Sequence, residues 1–96
     1  MEFNKLTHVP SLSDIKQVAK ELQGIVQQSP LEFSKPLSER FGARIFVKRE
    51  DLQRVRSYKI RGAYYKLSNL PTEARSQGIV AASAGNHAQG VAFACA

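Results

Sequence analysis

The fold is decided by one stretch of the chain, residues 79–90, which reads Ile79-Val80-Ala81-Ala82-Ser83-Ala84-Gly85-Asn86-His87-Ala88-Gln89-Gly90. Its four leading apolar residues predict a buried strand, the small and polar residues after them predict a tight turn, and the residues from His87 onward predict a helix. A strand that turns directly into a helix is typical of α/β folds, which bind ligands at the carboxyl ends of their strands.

The rest of the chain adds alternating helices and strands. A helix is predicted after Ser11, with one apolar stripe made of Ile15, Val18, Ala19, Leu22 and Val26. Further elements are predicted as strands over residues 31–34 and 44–48, a short helix over 36–41 that ends at Gly42, a helix capped by Ser57, and a helical turn over 72–77.

This order of elements predicts an α/β fold with a mostly parallel sheet whose strands are covered on both faces. Only two confident strands precede the last helix, which still runs at Ala96. We therefore expect residues 1–96 to be an N-terminal part of a larger catalytic domain, with the sheet incomplete in this chain.

Composition narrows the class of protein. The chain has 96 residues, a formal net charge of +6, 43% hydrophobic residues and one cysteine, Cys95. It contains no apolar run long enough to span a membrane and no secretory signal, and a single cysteine excludes an internal disulfide. These features lead us to expect a cytoplasmic protein. We also expect no metal site, because the sequence shows no cluster of metal ligands.

Positive charge is concentrated in one basic stretch, which contains Lys48, Arg49, Arg54, Arg56, Lys59 and Arg61. Such a stretch can neutralise nucleic-acid phosphates, attract one small anionic ligand, or form a solvated surface. Composition leaves these three alternatives open.

Lys59 is the candidate nucleophile, at the start of a predicted helix. Arg56, Arg61 and the positive helix end all disfavour a protonated amine there, so Lys59 can supply the neutral amine that attacks an aldehyde. The alternative is one exposed cation among many. Gly62, in the same helix, predicts a close approach by another backbone or by a ligand.

The turn over residues 83–90 is a candidate anion site. Backbone N–H groups at a helix N-terminus suit a carboxylate, and Ser83, Asn86 and His87 add side-chain hydrogen bonds. The alternative is that Ser83 or Asn86 serves only as a helix cap.

Three segments give the sequence a specific resemblance. They are Lys48-Arg49-Glu50-Asp51-Leu52-Gln53, Ser57-Tyr58-Lys59-Ile60-Arg61-Gly62-Ala63, and Ser83-Ala84-Gly85-Asn86-His87-Ala88-Gln89-Gly90. In this order and spacing they resemble the threonine dehydratases and other fold-type II enzymes that depend on pyridoxal 5'-phosphate (PLP). The run Arg54-Val55-Arg56-Ser57-Tyr58 resembles the biosynthetic enzymes of this family more than the catabolic ones. The implied fold is like that of the tryptophan synthase β subunit.

The resemblance implies a role for each matching residue. The lysine that matches Lys59 carries PLP and later moves the substrate's Cα proton, Tyr58 packs beside the cofactor, and Asn86 hydrogen-bonds its ring hydroxyl. The substrate carboxylate is expected to be bound by Ser83, Gly85, Asn86 and His87.

The implied activity is dehydration and deamination of L-threonine to 2-oxobutanoate and ammonia in isoleucine biosynthesis, by a homo-oligomeric enzyme. Serine dehydration remains an alternative. Racemisation is another, but related serine racemases use a second serine where Ala84 stands, which favours dehydration. Because the family's glycine-rich phosphate loop is not found in these residues, we expect little activity from the chain alone, and a non-catalytic truncated product is a further alternative.

Overall fold

A computed structural model describes residues 9–96 of the chain. In chain order its elements are α1 (Leu12–Glu21), β1 (Leu31–Phe33), α2 (Lys35–Phe41), β2 (Phe46–Lys48), a 3-10 turn (Glu50–Leu52), α3 (Lys59–Ser68), α4 (Thr72–Ser76) and α5 (Asn86–Cys95). All five helices were predicted from periodicity and capping residues, and β1 and β2 lie within the first two predicted strands.

Local chemistry explains where most of these helices begin and end. Ser11 and Asp14 form a reciprocal capping box, with the Ser11 N–H donating to the Asp14 carboxylate at 2.7 Å. Gly42 ends α2 with a φ of +61°, as predicted. The capping residue of α3 is Tyr58 and not Ser57 as predicted, although the Ser57 hydroxyl accepts a hydrogen bond from the Lys59 N–H at 3.4 Å.

The two strands form an antiparallel hairpin-like sheet, in which Leu31 lies opposite Lys48 and Phe33 lies opposite Phe46. The Phe33 and Phe46 rings meet edge to face with centroids 5.5 Å apart. Phe46 nevertheless remains 43% exposed, so the expectation that this strand is covered on both faces is wrong for this structure.

Residues 79–82 were predicted to form a buried strand, and this prediction is not met among the described residues. The segment has no strand pairing, and Val80 is 99% exposed. A strand needs a neighbour for its N–H and C=O groups, and residues 9–96 supply none beside this segment. The mostly parallel sheet is therefore not formed within the described part of the chain.

α3 and α5 pack against each other, and Ile60 and Ala63 of α3 are buried. The other buried apolar residues are Leu22, at the end of α1, and Val55, before α3. The predicted apolar stripe of α1 is covered only in part, because Leu22 is buried but Ile15 is 59% exposed. Within residues 9–96, no helix combines the length and the apolar character that crossing a membrane requires.

Candidate functional site

Lys59 is the first residue of α3 and is half-buried. Its Nζ lies 5.1 Å from the centroid of the Tyr58 ring, and Tyr58 itself is 60% exposed. The next residue, Ile60, is fully buried, so the backbone at this point is held by the core while the amine reaches the surface.

Gly90 brings α5 against the start of α3. A Cβ atom at position 90 would lie 3.1 Å from the Lys59 carbonyl oxygen and 3.3 Å from the Lys59 Cβ. Only a glycine leaves these atoms undisturbed at this separation. At Gly62, where we expected a close approach by another backbone or by a ligand, a Cβ would meet no atom of the described residues within 4 Å. Within residues 9–96 the close backbone contact lies at Gly90.

The turn before α5 is organised by the Ser83 hydroxyl. Its Oγ accepts hydrogen bonds from the Gly85 N–H at 3.2 Å and from the Ala88 N–H at 3.1 Å. Ser83 thus stabilises the helix start, which was the alternative to ligand binding. Both acceptor positions of the hydroxyl are then occupied, and its own hydrogen remains available to a ligand oxygen.

The next backbone N–H groups, those of Asn86 and His87, lie in the first turn of α5, where no intrahelical partner exists. Neither forms a hydrogen bond to any residue in the described range. Together with the Ser83 hydroxyl they form a set of donors at a positive helix end. This arrangement suits a carboxylate or another small anion.

The Gly90 contact places these donors near the lysine. Asn86 precedes Gly90 by one turn of α5, or ~6 Å along the helix axis. The predicted site residues thus lie at the starts of two helices that touch at Gly90 and Lys59. Tyr58 and Lys59 are at the start of α3, and Ser83, Gly85, Asn86 and His87 are at the start of α5. The side chains of Asn86 and His87 are exposed and make no hydrogen bond within the described residues.

Most of the basic stretch is engaged inside the chain. Arg49 pairs with Glu32 at 2.7 Å and with Asp51 at 2.8 Å. The other contacts join Arg61 to Glu50, the Lys48 Nζ to the Ser29 carbonyl, and Arg54 to the Phe93 ring. This compensation counts against the nucleic-acid alternative. It also weakens the expectation that Arg61 acts on Lys59, because the Arg61 charge faces Glu50.

Sequence reasoning missed two residues that the structure places beside this site. Glu50 accepts hydrogen bonds from Arg61, and Gln53 is fully buried. Both belong to the first of the three resembling segments, to which no role was given. The available signal was an acid and an amide set among cations directly upstream of Lys59. Among residues 9–96 no group of three or more His, Cys, Asp or Glu side chains is placed to hold a metal ion.

Comparison with known proteins agrees on one family. The family described as pyridoxal-phosphate dependent enzyme matches residues 22–96. The chain is 50% identical over 84 residues to a protein of Lactococcus lactis named L-threonine dehydratase biosynthetic IlvA, covering 88% of this chain and 20% of that relative. It is 51% identical over 84 residues to the L-threonine ammonia-lyase of Thermotoga maritima, covering 88% of this chain and 21% of that protein.

Two solved structures have the same fold. Threonine deaminase isoform 2 from Solanum lycopersicum, in its processed form, superposes with a TM-score of 0.67 at 43% identity, covering 90% of this chain and 25% of its own. Maize serine racemase superposes with a TM-score of 0.79 at 31% identity, covering 92% of this chain and 28% of its own. The predicted α/β fold class is confirmed, and the chain spans about a fifth of the length of the curated relatives it matches.

The residues at this site fit an aldehyde cofactor. The Lys59 amine makes no ion pair within the described residues, so it is available to condense with a carbonyl. The exposed Tyr58 ring beside it offers a flat surface to an aromatic ring, and the donors of the turn suit the carboxylate of an amino acid.

Proposed function

The chain belongs to the family of pyridoxal-phosphate dependent enzymes, and from this premise we propose that the full-length protein carrying it deaminates L-threonine to 2-oxobutanoate and ammonia. Relatives at 50% and 51% identity bear the names threonine dehydratase and threonine ammonia-lyase. One observation carries the proposal, namely the contact of Gly90 with Lys59, which joins the amine to the carboxylate donors.

We propose further that residues 1–96 are the N-terminal part of the catalytic domain. The apolar segment over residues 79–82 is exposed from Val80 to Ala82, with Val80 at 99% exposure. Further strands of a parallel sheet would cover it and give its backbone groups partners. The names of the relatives support a role in isoleucine biosynthesis, while the homo-oligomeric state and the cytoplasmic location stay predictions from the sequence.

Each residue of the site has a role in the proposed reaction. Lys59 would hold the cofactor through Nζ, with Tyr58 packed beside the ring and the Asn86 amide at the ring hydroxyl. The N–H groups of Asn86 and His87, with the Ser83 hydroxyl, would bind the threonine carboxylate, and Gly85 keeps the turn free of a side chain. These donors hold the amino acid in one orientation before any bond breaks.

The chemistry begins at the threonine Cα. Bound PLP supplies an electron sink for the charge left when the Cα–H bond breaks. The Lys59 Nζ would accept that proton and pass it to the β-hydroxyl, which would leave as water. The enamine left by this loss would take up one water and give 2-oxobutanoate and ammonia.

Racemisation is the second candidate, because the likeness to maize serine racemase is close. A racemase needs a group that returns a proton to the face of Cα opposite to Lys59. Ala84 carries only a methyl group at the position of the turn where such a group is expected. We therefore place dehydration ahead of racemisation for this chain.

Turnover of threonine by the full-length protein tests the proposal. We expect 2-oxobutanoate to form in the presence of PLP, and Lys59→Ala to lower kcat by ~10²–10⁴-fold, the usual contribution of a positioned proton carrier. Lys20→Ala, at an exposed lysine of α1, is the matched control and should leave turnover unchanged. Equal turnover by Lys59→Ala would overturn the proposal. Conversion of L-serine to D-serine in a parallel assay, with no 2-oxobutanoate formed from threonine, would favour racemisation.

A further inference from the structure

Four polar residues meet in one partly buried cluster, which we name the Glu50 cluster: Ser29 and Gln53, which are buried, and Glu50 and Arg61, whose side chains are 16% and 37% exposed. The Glu50 carboxylate accepts hydrogen bonds from Arg61 Nε at 2.8 Å and Arg61 Nη2 at 2.9 Å. It also accepts from the Ser29 hydroxyl and from Gln53 Nε2. None of these residues takes part in the reaction proposed above.

Burial and hydrogen bonds hold the side chains of the Glu50 cluster in one geometry. Ser29 is 5% exposed, Gln53 is fully buried, and the Glu50 side chain retains 16% exposure. Gln53 also holds both backbone groups of Gln27, accepting from its N–H at 2.9 Å and donating to its carbonyl at 2.6 Å. Within the described residues no buried side-chain polar atom lacks a partner, so the network is complete.

The Glu50 cluster contains the residues at both ends of the loop that carries Lys59, namely Gln53 and Arg61. The Gln53 carbonyl accepts from the Arg56 N–H at 2.8 Å and so begins the loop, while Arg61 lies two residues after Lys59 in α3. Between these ends Arg56 adopts a φ of +62°, the left-handed region that a residue with a Cβ atom rarely occupies. A strained loop keeps its shape only when its surroundings hold it.

From these contacts we propose that Glu50 is the positioning residue for Lys59. It ties Gln53 and Arg61 together through one carboxylate, and thereby fixes where the Lys59 amine emerges relative to the donors at the start of α5. The proposal rests on the proposed function, since it assigns Glu50 a part in presenting the cofactor-linking amine.

The form of the ion pair supports this role. Arg61 binds Glu50 through two parallel hydrogen bonds, a geometry that fixes direction as well as distance. The pKa of Glu50 is lowered to about 2, chiefly by the hydrogen bonds from Arg61 and further by those from Ser29 and Gln53. Glu50 is therefore ionised at every pH at which the enzyme would work.

The neighbouring carboxylate provides a matched control. Asp51 also forms a two-point ion pair with an arginine, Arg49, but its side chain is 57% exposed and it lies outside the Glu50 cluster. Exposed pairs of this kind contribute little to a structure. Asp51→Asn and Glu50→Gln remove the same charge one residue apart.

The first measurement needs no cofactor. Hydrogen–deuterium exchange of the full-length apoprotein reports on the loop through the Arg56 and Lys59 amides, which are hydrogen-bonded in the structure. We expect Glu50→Gln to speed exchange over residues 54–60 by at least ~10-fold, and Asp51→Asn to leave it within ~2-fold. Equal exchange in the two variants would overturn the proposal, whether or not the protein deaminates threonine.

The second measurement separates positioning from folding. The protein is loaded with PLP, and the fraction of Lys59 linked to the cofactor is measured by borohydride reduction. Dividing kcat for threonine by this fraction gives the turnover per correctly linked lysine. We expect Glu50→Gln to lower this ratio ~10-fold or more with little change in KM, because a displacement of ~1 Å can cost ~100-fold in rate. A ratio equal to that of Asp51→Asn would contradict the role of Glu50.

A conservative variant guards against misfolding of Glu50→Gln. Arg61→Lys keeps the charge opposite Glu50 but loses the two-point geometry, so the same fall in kcat per linked lysine is expected. An undiminished ratio in Arg61→Lys would also overturn the proposal. Absence of any PLP linkage in the unchanged protein would instead defeat the proposed function, and the exchange measurement would still decide the role of Glu50.

Discussion

At the scale of single residues, ligand binding at the start of α5 depends on which hydrogen-bonding groups already have a partner in the chain and which do not. Ser83 accepts two backbone hydrogen bonds and keeps only its own hydrogen to offer. The N–H groups of Asn86 and His87 have no partner within the described residues. The open donors suit the carboxylate of an amino acid, and the Lys59 amine is available to hold an aldehyde cofactor.

The ionisation of Glu50 makes the stability of the fold depend on pH. Its pKa falls from an ordinary value of 4.5 to about 2 on folding, so its ion pair stabilises the fold fully above about pH 4.5. That stabilisation is lost as the pH falls from about 4.5 towards 2. Glu50→Gln is expected to lower the urea midpoint of the full-length protein near neutral pH and to have little effect near pH 2.

Asp51→Asn is the control in that titration. The pKa of Asp51 is also lowered, chiefly by the hydrogen bond from Arg49, but its side chain is 57% exposed. We expect its urea midpoint to follow that of the unchanged protein across the whole range. A Glu50→Gln deficit that persists undiminished at the acid end would contradict the account of this ion pair.

At the scale of elements, capping chemistry and periodicity were sufficient to locate the helices. The Ser11–Asp14 box and the left-handed Gly42 are local signals, readable without knowledge of the rest of the chain. The Glu50 cluster was not predictable in this way. Apart from the bond between Gln53 and Glu50, its hydrogen bonds join residues 11 to 26 positions apart, and no sequence spacing encodes such contacts.

The packing of α5 on α3 yields a prediction that compares two glycines. Gly90→Ala is expected to destabilise the 96-residue chain, because the new Cβ would lie 3.1 Å from the Lys59 carbonyl oxygen. Gly62→Ala meets nothing within 4 Å and should instead stabilise α3 by ~0.5–1 kcal/mol. Thermal unfolding followed by circular dichroism measures both.

The two glycine variants control for one another, because both make the same change inside a helix. Opposite signs in their unfolding temperatures would support the close contact at Gly90. A stabilising Gly90→Ala would show that α5 does not approach Lys59 so closely, and the juxtaposition of amine and donors would then lose its structural basis.

At the scale of the whole molecule, the exposed apolar surface is the dominant feature. Val80, Ile15 and Phe33 are more than half exposed, although each lies on a face predicted to be covered. The sequence predicted the α/β class correctly because local periodicity carries it. Where the sheet closes depends on partners that residues 9–96 do not provide, so the predicted burial of residues 79–82 was not met.

Val80 tests whether the full-length protein covers this surface. Val80→Asp is expected to change the unfolding free energy of the 96-residue chain by less than ~0.5 kcal/mol, since the side chain is 99% exposed there. In the full-length protein the same change should cost ~3 kcal/mol or more, because a sheet would bury the carboxylate. Gln77→Asp, at an exposed position nearby, should be tolerated in both.

Equal effects of Val80→Asp in the two proteins would contradict the proposal that residues 1–96 form part of a larger domain. Urea denaturation of the chain and of the full-length protein, under the same conditions, provides the comparison.

The central claim is that Lys59 is the residue that carries the cofactor, and chemical mapping tests it most directly. The full-length protein is loaded with PLP, reduced with borohydride, digested and examined by mass spectrometry, with Lys59→Ala treated in parallel. The account predicts the reduced cofactor on Lys59 alone, and loss of both the label and the visible absorbance in the variant. Selective labelling of another lysine, or an unchanged label in Lys59→Ala, would contradict it.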